Sequence, residues 1–436
     1  MLRKALLISV STFLLASPSQ GETLQEALDL AFQTNPSLAA QRAQLGVARE
    51  QLNQAKGARA PTVELTGSAG YESLDSNQPI AFGIGDRPIA RAGLQATLPV
   101  YTGGRIDAGV DQARAGILSA DAQLDGAGQD LILNVVTAYV DVLRDREALR
   151  IRGNSVALLE EQLRAATDRF DVGVATRTDV KQAEARLQGA RASYAGAQAQ
   201  LEASLSIYEL LVGGVAGDLA PVPDAPAVPE GYEAALSSAL AENPDLKALR
   251  QAERAAEQAV RAARGETRPS VSIVGAASAQ ETFDQEALGV SPTGEFITLP
   301  PDNYRDTSLS VFAQASVPLF QGGVLRSRIR AARLEREQAR LQTLNAERQI
   351  AASIAQAWYS NIAAEQAIIA SERQVEAAEI AYEGAQEELS VGTRTTLDVL
   401  DQEQQLLDAR LGLINAERDS YVATYQLLRA MGDLSL

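Results

Sequence analysis

Apolar residues recur at spacings of three and four along much of the chain, the pattern of helices that pack against partner helices. Residues 106–172 contain no proline, so they can form one uninterrupted helix. Asp145 and Arg152 are the two polar interruptions of its apolar series. That series is Leu131, Val135, Ala138, Val142, Leu149, Val156, Leu159, Leu163, Ala166 and Phe170. The seam predicts that this helix has neighbours along its second half.

Each long helix is expected to reverse its direction at a glycine. The first reversal lies at Gly173, and the returning helix covers about 176–211. The second lies at Gly392, and its returning helix extends to about Arg429. Glycine is favoured at such turns because it adopts φ > 0 without steric cost. The chain is therefore predicted to contain two long helical hairpins.

Four other segments alternate strictly between apolar and polar residues, which predicts β-strands with one apolar face. They are 62–72, 90–101, 270–280 and 308–320. In the first, Val63 and Leu65 alternate with Glu64 and Thr66. The apolar positions are rich in alanine and valine, which fits the lipid-facing strands of a barrel. A soluble hairpin packed on a helix would explain the alternation equally well.

The order of these signals occurs twice along the chain. Pro36 of "NPSL" recurs as Pro244 of "NPDL", 208 positions later, and "LPVYTGG" at 98–104 recurs as "VPLFQGG" at 317–323. A proline-rich connector, residues 217–232, separates the two halves and is expected to be extended. We therefore predict two structural repeats, 22–216 and 233–436.

The N-terminal residues have the features of a signal peptide. Arg3 and Lys4 precede an apolar run, and small residues precede Glu22, so residues 1–21 are expected to be removed on export. After them, no run approaches the roughly 20 apolar residues of a membrane helix. A membrane role would then require β-strands. Four strands cannot close a barrel, whereas three copies supply twelve strands and twelve helices.

Composition excludes several function classes. The chain has no cysteine and no histidine, and its formal charge is −17. This acidity argues against nucleic-acid binding and would favour cationic over anionic material in a channel. An enzyme is not expected, because no nucleophile–base pair and no phosphate loop is present; a lone carboxylate pair suits glycoside hydrolysis only in a substrate cleft. No cofactor and no structural metal are expected.

The stretch "GTRTTLDVLDQ" at 392–402 carries two carboxylates, Asp398 and Asp401. Asp398 corresponds to Asp179 in the other half, and both follow a threonine by three positions, which is typical of a helix cap. Asp401 corresponds to Gln182, so the cap does not require it. The pair shares a helix face, where like charges repel. Asp401 belongs either to a solvated face or, if threefold symmetry applies, to a ring of carboxylates around a pore.

The repeated plan, the "NPSL" and "NPDL" junctions, the "LPVYTGGR" and "VPLFQGG" strand ends and the "LDVLD" stretch at 397–401 together resemble the TolC family of outer-membrane efflux and secretion ducts. The resemblance implies an α+β membrane protein. Its homotrimer would join a 12-stranded β-barrel in the outer membrane to a 12-helix α-barrel in the periplasm. A periplasmic adaptor (a membrane fusion protein) and an inner-membrane pump or ABC transporter would be its partners. The alternative is a periplasmic coiled-coil adaptor or scaffold without a pore.

The resemblance also implies roles for particular residues. Asp398 and Asp401 would form an acidic double ring at the pore constriction. Arg394 would lock the gate by contacting Asp179 or Thr178 on an adjacent coil, although a solvated arginine near a turn is the simpler interpretation. The helix tips that would contact the adaptor are Val172, Gly173, Val391 and Gly392.

Two positions depart from the family pattern. Leu389 stands where the family often has a tyrosine that ties the coils together, and Glu417 stands about where a further basic partner is expected. The resemblance therefore predicts that the contacts holding the gate closed at rest, here called the resting lock, are weaker in this chain or involve other residues.

Overall fold

The computed structural model describes residues 21–74, 85–290 and 292–434, so the predicted signal peptide lies outside the described residues apart from Gly21. The first half contains α1 (Leu24–Thr34), α2 (Pro36–Gly57), β1 (Thr62–Leu74), β2 (Gly85–Tyr101), α3 (Arg105–Asp171) and α4 (Arg177–Val212). The second half contains α5 (Tyr232–Glu242), α6 (Pro244–Gly265), β3 (Ser270–Val290), β4 (Phe296–Ser316), α7 (Val324–Ser390) and α8 (Thr396–Met431).

The two halves have helices of equal length in the same order. α1 and α5 have 11 residues, and α2 and α6 have 22. α3 and α7 have 67 residues, and α4 and α8 have 36. Among the described residues, no helix carries an apolar stretch long enough to cross a membrane.

Contacts divide the chain into two compact units, and each unit draws on both halves. Of the described residues, one unit contains 21–42, Gln123–Leu246 and 346–434. It holds the turns of both long hairpins. The other contains Ala43–Ala122 and Lys247–Asn345, and it holds the four strands.

The strands form one antiparallel sheet in the order β1-β2-β3-β4. Its register places Leu65, Leu94, Ala277 and Leu309 in one row across all four strands. Leu65 is 76% exposed and Leu309 is 82% exposed. On the opposite face, the Arg91 Nε donates to Gln280 Oε1 over 2.8 Å. The alternation therefore produces an apolar face and a polar face, and the apolar face is open in the single chain.

β3 and β4 are longer than the alternation predicted. The intervening segment, which its prolines and glycines mark as a loop, extends both strands to a turn that contains Gly294, with φ 87°. The ladder is irregular between Thr282 and Ala287, close to where Pro300 and Pro301 face β3. Proline has no N–H to donate to a ladder, so the pairing shifts there but does not end.

The three–four seam of α3 forms the core of the first unit. Val135, Tyr139 and Val142 are fully buried, together with Tyr208 of α4. Asp145, one of the two polar interruptions, is also buried, and the Ser204 hydroxyl of α4 donates to it. A buried, satisfied carboxylate of this kind favours one register between two helices.

Candidate functional site

Both long hairpins turn through the same hydrogen-bonded motif. Gly173 has φ 80° and Gly392 has φ 78°. At the first turn, the amide of Gly173 donates to the Phe170 carbonyl and that of Val174 donates to the Arg169 carbonyl, each over 2.9 Å. These two bonds form a Schellman motif, which satisfies carbonyls left free at a helix end. The amides of Gly392 and Thr393 repeat them on α7.

The turns expose apolar side chains. Val172 and Val391, at equivalent positions in the two hairpins, are each 73% exposed, and Val174 is similarly open. No side chain lies close to either glycine, since a Cβ added at Gly173 or Gly392 would meet nothing within 4 Å. The glycines are therefore required by backbone conformation, and the valines are exposed in the single chain.

The predicted caps are present at the start of both returning helices. The Asp179 Oδ2 accepts from the Thr176 amide at 2.8 Å and from its hydroxyl at 2.9 Å. Asp398 Oδ2 accepts from the amide and hydroxyl of Thr395 at 2.9 and 2.7 Å. These bonds favour the ionised form, so they hold the pKa of both carboxyls below its ordinary value.

Asp401 has a different partner, which lies on the other hairpin. The Arg186 guanidinium of α4 donates to Asp401 Oδ1 over 2.6 Å. Arg186 was missed from the sequence, although one signal was available. Its counterpart in the second half is Gln405, so Arg186, like Asp401, is a charge that occurs in only one half.

Arg394 pairs within its own hairpin. Its Nε lies 2.5 Å from Glu388 Oε2 at the end of α7, and both side chains are about half exposed. Asp179 is engaged in its own cap, and Thr178 beside it is exposed. Leu389 is half-buried at the end of α7. The contact of Arg394 with an adjacent coil therefore remains a prediction about the assembled protein.

The two hairpins meet at a small buried seam, which we call the hairpin seam. It consists of Leu159 of α3, Leu187 of α4 and Leu400 of α8, each less than 10% exposed. Glu403 of α8 is buried beside it, and the Ser155 hydroxyl donates to its Oε1 over 3.2 Å. Its Oε2 has no hydrogen-bond partner, and the same holds for the buried Gln162 Oε1. Burial raises the pKa of Glu403 to about 7.

Glu403 was also missed from the sequence. It falls on the apolar seam of α8, four positions after the buried Val399 and three before the buried Leu406. A charged residue at such a position indicates that its side chain lies in a buried environment between helices. Glu417, which departs from the family pattern, faces other carboxylates: partial burial raises its pKa, and the charges of Glu372 and Glu147 raise it further.

Within the part of the chain that the structure describes, no three His, Cys, Asp or Glu side chains are grouped to hold a metal ion. Asp398 and Asp401 are held by a cap and by an arginine, respectively. The chemistry available at the turns is therefore that of fixed charges and exposed apolar tips.

Comparison with known proteins finds relatives along nearly the whole chain. The sequence profile of the family described as outer membrane efflux protein matches residues 27–213 and 235–433, one segment in each half. Outer membrane efflux protein BepC of Brucella suis is 30% identical over 431 residues, which cover 99% of this chain and 90% of that protein. Outer membrane protein TolC of Vibrio cholerae is 29% identical over 435 residues, which cover 99% and 95%.

A solved structure shows the same fold. The crystal structure of the outer membrane protein VceC from Vibrio cholerae has a TM-score of 0.78 against this chain at 22% identity. The alignment covers 94% of this chain and 96% of VceC. The order of helices and strands is therefore shared along nearly the full length of both proteins.

Proposed function

Because this chain belongs to the outer membrane efflux protein family, we propose that Asp398 and Asp401, repeated around a threefold axis, form the constriction of its export channel. The chain is an outer-membrane channel of a tripartite efflux pump or a type I secretion system, with a helical domain in the periplasm. It works as a homotrimer with a periplasmic adaptor and an inner-membrane pump or ABC transporter. The alternative of a poreless scaffold is disfavoured.

The sheet supports a barrel made by three copies. Among the described residues of the single chain, β1 and β4 each pair with one neighbouring strand, and Leu65, Leu94 and Leu309 of the apolar row are exposed. Unpaired strand edges are costly in lipid, where no water can satisfy them. Three four-stranded sheets would close into twelve antiparallel strands, which removes the edges and turns the apolar face toward lipid.

The observation that carries the constriction is the position of the two carboxylates. They lie within the first two turns of α8, directly after the exposed tip at Gly392. The cap explains Asp398 alone, since Gln182 replaces Asp401 in the other half. Two rings of carboxylates at the narrowest point would attract cations, as rings of acidic side chains do in cation channels.

We place the resting lock between neighbouring hairpins. Arg394 stands next to the cap of α8 and would exchange Glu388 for Asp179 or Thr178 of an adjacent coil. Exposed ion pairs contribute little individually, typically 0.2–1 kcal/mol, so three such contacts could be broken by an adaptor. Glu417 stands about where the family pattern has a further basic residue, so that position adds no positive charge to the resting lock. This supports a weakly closed gate.

The adaptor would contact the turns. Val172, Gly173, Val391 and Gly392 form two equivalent tips, and their valines are among the exposed apolar side chains of the chain. Burying such side chains against a partner would contribute to affinity roughly in proportion to the apolar area removed from water.

The constriction can be tested in planar lipid bilayers. The double variant Asp398→Asn with Asp401→Asn is expected to raise the concentration of a trivalent cation, hexaamminecobalt(III), that half-blocks the single-channel current. Asp408→Asn removes an exposed carboxylate further along α8 and serves as the matched control. Unchanged block in the double variant would show that these residues do not line the pore.

A further inference from the structure

We infer that Arg186 determines the charge of the constriction, by pairing with Asp401 inside each copy of the chain. The inference rests on the proposed function, because it concerns the same acidic ring. It adds a residue that the ring alone does not require, on a helix of the other hairpin. Asp401 would then be neutralised while Asp398 keeps its charge.

The contact itself is direct. Arg186 Nη2 lies 2.6 Å from Asp401 Oδ1, and the two side chains are 41% and 49% exposed, respectively. At this exposure the pair adds little to folding stability. Its effect on a passing ion is larger, because a guanidinium beside each Asp401 cancels the charge that the ion would meet.

The internal repeat separates this pair from the ordinary surface pairs of the hairpins. Arg191 pairs with Glu160 at 2.7 Å between α4 and α3, and the equivalent residues pair between α8 and α7. That second pair joins Arg410 to Glu379 over 2.8 Å. Both are repeated, and each joins the two helices of one hairpin. They are explained by hairpin stability alone.

The pair of Arg186 and Asp401 is not repeated, and it joins one hairpin to the other. The equivalent positions are occupied by Gln405 and Gln182, so both members of the pair are charges that only one half possesses. A hairpin-stabilising pair would be expected in both halves. Arg418 and Asp141 also form an unrepeated pair between the hairpins, but Arg186 and Asp401 form theirs at the proposed constriction, where an unrepeated charge acts on the passing ion.

The hairpin seam fixes this geometry. Leu187 follows Arg186 directly, and Leu400 directly precedes Asp401; both leucines are buried against each other and against Leu159. The backbone positions of the two charged residues are therefore set by apolar packing, and only their side chains need to be ordered. If the hairpins move apart during opening, the ion pair must break and Asp401 becomes a free carboxylate.

The test uses the purified trimer in planar bilayers with hexaamminecobalt(III) as the probe. Arg186→Gln is expected to lower the half-blocking concentration by about tenfold, because a channel lined by charge of one sign concentrates counter-ions by at least that factor. Arg191→Gln removes an equally exposed cation from the same helix and should leave the block unchanged. Asp401→Asn by itself should weaken the block, because it leaves Arg186 as an unpaired cation, and it should abolish the gain in the Arg186→Gln background.

Two outcomes separate the failure of this inference from the failure of the constriction. If Arg186→Gln leaves the block unchanged while the Asp398/Asp401 double variant weakens it, Asp401 is free in the assembled channel and Arg186 has no such role. If the double variant has no effect either, the proposed constriction is wrong. Heat-modifiable trimers on gels, made with every variant, confirm that the comparison concerns folded protein.

Discussion

The Ser155 hydroxyl of α3 lies 3.2 Å from Oε1 of Glu403 on α8, inside the interface between the two hairpins. Glu403 is 7% exposed, and its second oxygen has no partner. An ionised carboxylate in this position is only partly satisfied, which is unfavourable at low dielectric. The contact between the hairpins therefore contains a proton-binding group beside the proposed constriction.

Glu403 should make this interface more stable at low pH than at high pH. Its pKa is raised from 4.5 to about 7, so the folded protein binds the proton more tightly than the unfolded chain does. The stabilisation is fully present below pH 4.5 and is lost as the pH rises through about 7. It amounts to about 3 kcal/mol, at 1.36 kcal/mol per pH unit. Glu403→Gln should remove this dependence.

Hydrogen exchange of the α8 amides at pH 5 and pH 8 measures the effect. The protection factors of the wild-type amides around Leu400, which correct for the pH dependence of intrinsic exchange, should be lower at pH 8 than at pH 5. Those of Glu403→Gln should be the same at both pH values. Asp408→Asn, which changes an exposed carboxylate on the same helix, is the control. An identical pH dependence in wild type and Glu403→Gln would contradict this account.

Alanine at Gly173 or Gly392 should destabilise the hairpin turns. Both glycines have φ near 80°, a region that costs an L-residue roughly 1–2 kcal/mol. Limited proteolysis at the turns should accelerate accordingly. Gly412→Ala provides a matched control: an added Cβ at this site inside α8 meets nothing within 4 Å, so cleavage should slow or stay the same. Equal rates in all three variants would count against a conformational role.

Charged residues at the helix tips should weaken adaptor binding. Val172→Asp with Val391→Asp places two carboxylates on the exposed apolar turns and should reduce both cross-linking to the adaptor and efflux in cells. Val215→Asp, at an equally exposed valine after α4, should affect neither. The bilayer conductance should not fall in either variant. Full efflux in the tip variant would place the adaptor contact elsewhere.

Arg394→Ser should raise single-channel conductance if Arg394 locks a neighbouring coil. The in-chain contact with Glu388 offers a way to separate two origins of the effect. If the lock is between coils, Asp179→Asn should also raise conductance and Glu388→Gln should not. If Glu388→Gln alone reproduces Arg394→Ser, the arginine acts only within its own hairpin.

A cation on the apolar sheet face should impair membrane assembly. Leu309 is 82% exposed in the row that would face lipid. Leu309→Arg is expected to destabilise the inserted protein by roughly 2–4 kcal/mol if the residue lies near the bilayer midplane. Ser310→Arg changes the next residue, which points to the other face, and should be tolerated. Comparable trimer yields in outer membranes for both variants would argue against the lipid-facing assignment.

Much of the fold was readable from the sequence because the forces involved are local or periodic. The helix caps at Asp179 and Asp398 depend on a threonine three residues earlier, and the turns depend on Gly173 and Gly392, so both follow from short motifs. The strands follow from alternation. The extension of β3 and β4 was not predicted, because Pro300 and Pro301 signal a loop locally while pairing with β3 keeps the segment in the sheet.

The sequence by itself determined the repeated helices and strands, the capped turns and the presence of Asp401 as an unrepeated charge. Only the tertiary structure decided what Asp401 meets. Its partner Arg186 is 215 positions away and becomes a neighbour because Leu159, Leu187 and Leu400 pack together. The burial of Glu403 has the same origin. Ion pairs and desolvation depend on distances across the packed hairpins, and these distances are set by side-chain packing between segments far apart in the chain.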